Sequence, residues 1–164
     1  MAAIPDSFDL QVRRAKTAAP ERQLDFLLGS LLALSEWWLM NRGSETEPYP
    51  AVVELGAAKC VVVFSAPGKL QDFADELRGE KVEEMPNLAI RVPEVVDYCL
   101  LFRGAGATAI LVNPGDFAFT VELDALESFT NAWRERRAAK GESRGFWIPN
   151  MTSEEEDFWQ SHGL

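Results

Sequence analysis

The residue types that most often carry catalysis are scarce in this chain. His162 is the one histidine, and it is the third residue from the end of a 164-residue sequence. Serine and cysteine nucleophiles usually need a histidine held against them. Zinc and iron sites usually draw on several histidines. The sequence therefore predicts no metal and no cofactor, and it disfavours most hydrolase and metalloenzyme functions while leaving open whether the protein is an enzyme.

The chain has two cysteines, and neither belongs to a CxxC pair. Cys60 opens the apolar run 60–64, and Cys99 lies within the apolar stretch 95–102. Unpaired cysteines in such surroundings usually pack as small hydrophobic side chains. We expect both thiols to be buried, with reactivity as the alternative.

Two other patterns resemble functional motifs. Residues 104–109, Gly-Ala-Gly-Ala-Thr-Ala, match G-x-G-x-x-A. A dinucleotide-binding loop needs a strand before the glycines and a helix after them, whereas here a predicted helix precedes them and a predicted strand follows. The carboxylate runs at 83–84 and 154–156 are typical of solvated faces. Neither pattern predicts a binding site.

Charge sets further limits on function. Acidic residues number 26 and basic residues 16, which gives a net charge of −10. That sign repels phosphate and so disfavours nucleic acids and anionic membranes, while it favours basic partners. No apolar run approaches the ~20 residues that a membrane-spanning helix needs. Residues 1–7 lack the pattern of a signal peptide, so we expect a cytoplasmic protein.

Composition and periodicity predict one α+β, or mixed α/β, domain. The chain is 47% hydrophobic and 26% charged, as is usual for a folded domain. We expect a central mixed sheet of about five strands with helices packed on it. The predicted strands lie near 37–40, 51–55, 59–65, 108–112 and 117–122, with a further short extended piece at 88–92. The predicted helices lie near 5–18, 20–35, 67–78, 93–103 and 124–140.

Local signals indicate where several elements begin and end. Ser65 is expected to cap the helix that starts at Pro67, and Gly104 to end the fourth helix. Residues 113–116 should form a turn between two strands, because Pro114 and Gly115 suit the centre of a type II turn. A capping box is expected to begin at Ser153.

The last residues differ from the rest in composition. We divide the chain into a domain at 1–140 and an acidic, aromatic tail at 141–164. Trp147, Phe158 and Trp159 supply the aromatic side chains of this tail. Two interpretations remain open. The three rings pack on this domain or on a second subunit, or they dock on a protein partner.

Residues 24–133 resemble the N-terminal domain of the SseB family, named for enhanced serine sensitivity in bacteria. The resemblance rests on a leucine-rich helix leading to Trp37, on Val61-Val62-Val63-Phe64-Ser65, and on Ile110-Leu111-Val112-Asn113-Pro114-Gly115. It implies a mixed α/β domain of the bacterial cytoplasm. It brings no catalytic residues, and the family's link to sulfurtransferase activity is one of modulation.

Three functions follow as hypotheses. The first is a non-catalytic protein-binding or regulatory module with a protein partner, which we expect to be basic, or with itself. The second is an enzyme or small-ligand binder whose site lies at Asn113, Pro114 and Gly115, with Arg103 nearby in sequence. The third is a structural homo-oligomer subunit, since five tryptophans and ten phenylalanines favour interfaces.

Overall fold

The computed structural model describes residues 6–81, 83–115, 117–140 and 146–160, without the side chains of Trp159 and Gln160. Within these ranges the chain forms six α-helices, one 3-10 helix and six strands. The α-helices are α1 (Ser7–Ala15), α2 (Pro20–Ala33), α3 (Pro67–Arg78), α4 (Glu94–Leu100), α5 (Leu123–Lys140) and α6 (Ser153–Gln160). The 3-10 helix is Leu101–Ala105, and the strands are β1 (Glu36–Met40), β2 (Val52–Leu55), β3 (Ala58–Val63), β4 (Asn87–Arg91), β5 (Ala109–Val112) and β6 (Phe119–Glu122).

The strands form a four-stranded sheet and a two-stranded sheet that touch. The larger sheet has the order β2-β3-β5-β6, in which β3 and β5 run parallel and the other neighbours antiparallel. The smaller sheet pairs β1 with β4. Trp38 and Phe64 exchange backbone hydrogen bonds of 2.9 and 2.8 Å, which link β1 to the end of β3. The predicted α+β fold is confirmed. The short extended piece expected at 88–92 is a strand, β4.

Two cores form because side chains alternate across the sheet. Val61 and Val63 of β3 face the larger core, which α1, α2, α4 and α5 cover. Cys60 and Val62 of the same strand face a smaller core beneath α3. All four side chains are fully buried, as expected for a central strand.

Three predictions about element ends are wrong. Ser65 does not cap α3, because the N-cap position is Ala66 and makes no side-chain hydrogen bond. Gly104 does not end the helix, since the 3-10 turn continues to Gly106, whose φ of 92° needs glycine. The capping box before α6 begins one residue earlier than expected. Thr152 exchanges hydrogen bonds of 3.0 and 3.1 Å with Glu155.

A buried carboxylate joins α1 to α3. Asp9 has no exposed surface, and its side chain accepts a hydrogen bond from the backbone N–H of Asp6 in a capping box. Lys69 of α3 lies against the Asp9 carboxylate and neutralises it. A buried charge is tolerated when it is paired and hydrogen-bonded, so this pair fixes the position of the first helix.

Candidate functional site

The two cysteines are buried thiols without a disulfide partner among the described residues. Burial raises the pKa of Cys60 above its ordinary value, and it raises the pKa of Cys99 to about 12. A thiol must ionise to act as a nucleophile. Neither cysteine is therefore poised for sulfur chemistry.

The structure does not bring the residues of the predicted ligand site together. Arg103 lies in the 3-10 helix near the start of β5, whereas Asn113 follows the end of that strand. Arg103 makes ion pairs of 2.8 Å with Asp124 and 2.5 Å with Glu127. The Glu127 carboxylate holds the pKa of this guanidinium above its ordinary value. The arginine thus belongs to an exposed ion-pair network at the far end of the strand.

Asn113 occupies the carboxyl end of the parallel pair β3 and β5, where α/β folds commonly bind ligands. Its side chain is buried and already engaged. Oδ1 accepts from the Ser65 backbone N–H at 2.9 Å, and Nδ2 donates to Ser65 Oγ at 2.9 Å. Pro114 is half-buried, and Gly115 adopts a φ of 137°. The Asn113 side chain thus closes the turn, and Asp116 lies outside the described residues.

The aromatic residues of the tail lie on their own chain. The Trp147 ring is 6.0 Å from that of Phe129 in α5, and the Phe158 ring is 6.3 Å from that of Phe26 in α2. The side chain of Trp159 lies outside the described residues. Trp147 and Phe158 are both half-buried, so little of either ring is left for a partner.

Helix α2 provides the surface that receives residues 146–158. Phe146 stacks on Phe26 at 5.8 Å, and Ile148 is fully buried. A Cβ at Gly29 would lie 2.7 Å from Phe146 and 2.8 Å from Ile148. The absence of a side chain at Gly29 is thus what allows the segment to approach.

The basic residues at the end of α5 also face their own chain. Arg134 donates to Asp97 at 2.7 Å. Arg136 lies over the Trp147 ring at 5.4 Å, and Arg137 lies over the Trp133 ring at 4.5 Å. These contacts give the cluster a structural role.

Nothing in the described ranges forms a metal site. No group of three or more His, Cys, Asp or Glu side chains comes together there, and His162 lies outside those ranges. The same part of the chain contains no helix with both the length and the apolarity to cross a bilayer.

An available edge does exist, along strand β4. The pairs Ser35–Val92 and Asn41–Pro86 are hydrogen-bonded in the β1–β4 ladder. Hydrogen-bonded and non-hydrogen-bonded pairs alternate in an antiparallel ladder. The pairs Glu36–Arg91, Trp38–Ala89 and Met40–Asn87 are therefore of the non-hydrogen-bonded kind. The contacts of Trp38 agree with this assignment, because its backbone N–H and C=O point away from β4 and form hydrogen bonds with Phe64.

The backbone N–H and C=O groups of Asn87, Ala89 and Arg91 consequently point away from β1. No described residue forms a hydrogen bond to these groups. Ala89 and Arg91 are exposed. Leu88 and Ile90, which alternate with them along the strand, pack on the larger core. The outer side of β4 is therefore an edge with outward-facing backbone groups at three alternate residues.

The other sheet edges are shorter and carry an acid in the middle or at the end. By the same alternation, β2 directs the backbone of Val52 and Glu54 outward, and β6 that of Thr120 and Glu122. Charged residues on short edge strands discourage pairing with other chains. β4 also ends on a charged residue, Arg91, but it is one residue longer than β2 and β6 and has the small residue Ala89 at its centre.

A cavity lies at each end of β4. The first, of about 450 Å³, includes Asn87 at the start of the strand, and the second, of about 510 Å³, includes Arg91 and Val92 at its end. The first is also lined by Pro67, Gly68, Leu70, Gln71, Asp75, Lys81, Glu84 and Met85. The second is also lined by Leu32, Ala33, Leu34, Ser35, Glu36, Pro93, Glu94, Trp133 and Arg137.

Sequence reasoning missed this edge as a site. In residues 87–91 the large apolar residues Leu88 and Ile90 alternate with polar or small ones, and prolines stand on both sides at 86 and 93. Both signals are typical of an edge strand. The sequence does not show which side of the strand is paired, because the pairing is tertiary. Even in the pair closest in sequence, Met40–Asn87, the β1 residue is 47 positions earlier.

The described residues form an α+β domain in which β4 has an available edge. Comparison of the chain with protein-family models, curated proteins and solved structures gives no match. The resemblance to the SseB family therefore remains a prediction.

Proposed function

We propose that this protein is a non-catalytic protein-binding module, SseB-like and cytoplasmic, that binds an extended segment of another protein along β4. The observation that carries the proposal is the set of outward backbone groups at Asn87, Ala89 and Arg91. Unpaired edges are templates for strand addition. The two unpaired thiols are in keeping with a reducing compartment.

Strand addition at this position would extend the β1–β4 sheet by one strand. β4 is five residues long, so a bound segment would gain hydrogen bonds at three alternate residues. Each peptide hydrogen bond contributes about 0.5–1.5 kcal/mol net. Backbone pairing supplies affinity, and the side chains of the bound segment supply specificity.

Ala89 offers a sharp test, because its N–H makes no bond inside the domain. Ala89→Pro removes that N–H and is tolerable on an edge strand. Ala89→Thr keeps the N–H and suits a strand, so it is the matched control. Peptides selected from a displayed random library against the full chain should bind the wild type and Ala89→Thr, and should fail to bind Ala89→Pro.

Amide exchange locates the binding. In the unliganded protein the amides of Ala89 and Arg91 should exchange faster than those of Leu88 and Ile90, which face β1. A selected peptide should slow the first pair. The proposal is wrong if selected peptides leave the Ala89 and Arg91 amides unprotected, or if none binds.

A further inference from the structure

This inference rests on the proposed function. The two cavities at the ends of β4 indicate which side chains the bound segment has at two of its positions. The first includes Asn87, and the second includes Val92, which lies one residue past the end of β4 and five positions from Asn87. Side chains an odd number of positions apart in a strand point to opposite faces. The cavities are likewise on opposite faces, since the first borders α3 and the second borders α5 through Trp133. One extended segment can therefore place a side chain in each.

The first cavity sits in acidic surroundings. Asp75 and Glu84 line it together with Lys81, and residues 72–84 contain six acidic and two basic residues. Glu84 is exposed and Asp75 half-buried, so a cation entering there keeps part of its hydration. The aliphatic stem of a lysine or arginine can lie along Leu70 and Met85, which line the same cavity.

The second cavity is lined in part by apolar side chains that are mostly buried. Leu34 is half-buried, Leu32 and Trp133 are buried, and the Arg137 guanidinium lies over the Trp133 ring. Its charges balance, with Glu36 and Glu94 opposite Arg91 and Arg137. An apolar or aromatic side chain is the occupant that leaves these charges at the rim in water.

The direction of the segment follows from the sheet. β1 and β4 are antiparallel, and antiparallel pairing is slightly more stable per residue than parallel pairing. In an antiparallel segment the residue opposite Val92 precedes the residue opposite Asn87. We infer that the partner is a basic protein whose bound strand carries an apolar or aromatic residue five positions before a lysine or arginine.

Charge also argues against a second copy of this chain as the occupant. Each chain carries a net charge of −10, and like net charges oppose association. A basic segment, in contrast, is attracted over long range at low ionic strength. Binding should therefore weaken as salt is raised.

The test compares the sequences that the library yields against two forms of the full chain. The wild type should enrich lysine or arginine five positions after an apolar residue. The double variant Asp75→Asn, Glu84→Gln should lose the basic preference and bind wild-type-selected peptides about fivefold more weakly. Asp72→Asn, Glu76→Gln is the matched control, because both residues are exposed on α3 and line neither cavity. It should behave as the wild type.

The outcomes separate this inference from the proposed function. Peptides that protect the Ala89 amide but show no basic preference overturn the inference and leave strand addition standing. Loss of Ala89 protection with every peptide overturns both. A wild-type mass of twice 18.3 kDa that returns to the monomer in Ala89→Pro identifies a second copy as the occupant and also overturns the inference.

Discussion

The guanidinium of Arg22 in α2 forms a bidentate ion pair with the carboxylate of Glu155 in α6, 133 residues further along the chain. Nε donates to Oε2 at 2.7 Å, and Nη2 donates to Oε1 at 3.1 Å. The same Nη2 donates to the carbonyl oxygen of Pro149 at 2.9 Å. One arginine on α2 thus holds both the start of the last helix and the loop before it.

This pair should make stability depend on pH in a defined direction. The hydrogen bond from Arg22 holds the pKa of Glu155 below its ordinary value. A lowered folded-state pKa stabilises the fold above the pKa of the unfolded chain, and that stabilisation is lost as the pH falls through the folded-state value. Glu155→Gln should cost about 1 kcal/mol at pH 7 and progressively less below pH about 4.

Unfolding in denaturant, followed at several pH values, measures the difference between the two proteins. Burial raises the pKa of Asp25, the second carboxylate on Arg22, so its contribution has the opposite sign. Asp25 is present in both proteins, so the part of its pKa shift that burial causes cancels in the difference, whereas the part that the Glu155 charge causes does not. A difference that stays constant from pH 7 to pH 3 would show that the pair does not act as described.

Gly29 should be the position on α2 least able to accept a side chain. Alanine is better than glycine in a helix by about 1 kcal/mol, but here its Cβ would lie 2.7 Å from Phe146. Gly29→Ala is expected to lower the free energy of unfolding by about 1–3 kcal/mol, the usual cost of overpacking.

Gly68→Ala is the matched control for that change. Gly68 lies in the first turn of α3, and a Cβ there would meet no atom within 4 Å. Its stability should be unchanged or raised by up to about 1 kcal/mol. Equal effects at Gly29 and Gly68 would contradict the packing of residues 146–148 on α2.

Asn113 should matter more for stability than Ser65, its partner. Asn113→Ala removes hydrogen bonds to two Ser65 atoms and places alanine at a φ of 45°. We expect a loss of about 2 kcal/mol, part of it from the left-handed backbone. Ser65→Ala keeps the bond from its own N–H and should cost about half as much. Thermal or denaturant unfolding distinguishes the two, and similar losses would refute this account of the turn.

The sequence predicts the α+β class and the central position of β3 because those features depend on local periodicity. The run 60–64 is continuously apolar, so a strand formed by it has apolar side chains on both faces and is expected to be buried on both. The end of α3 is likewise local, since Gly79 follows it with a φ of 68°, a left-handed conformation that favours glycine.

Tertiary partners explain what sequence reasoning missed. Ser65 has the composition of a helix cap, but the amide of Asn113 reaches it from 48 residues away and competes for its hydroxyl. Both Thr152 and Ser153 have a glutamate three residues later, but Thr152 forms the capping box with Glu155, the glutamate that Arg22 also binds. The free edge of β4 can be identified only when its pairing with β1 is known, because the unpaired side of the strand is the one that faces away from β1.

The two native cysteines should be almost inert in the folded protein. Because the pKa of Cys99 is about 12, about one thiol in ten thousand is ionised at pH 8, and it is also shielded from reagent by its complete burial. Burial raises the pKa of Cys60 as well. A thiol reagent should therefore label the native chain at the rate of its unfolding, and should label two thiols at once in denaturant.

Ala89→Cys supplies the comparison, because position 89 is exposed on the edge of β4. It should react as fast as a free thiol, and more slowly once a selected peptide occupies the edge. Rapid labelling of the wild type without unfolding would show that one of the buried thiols is reachable.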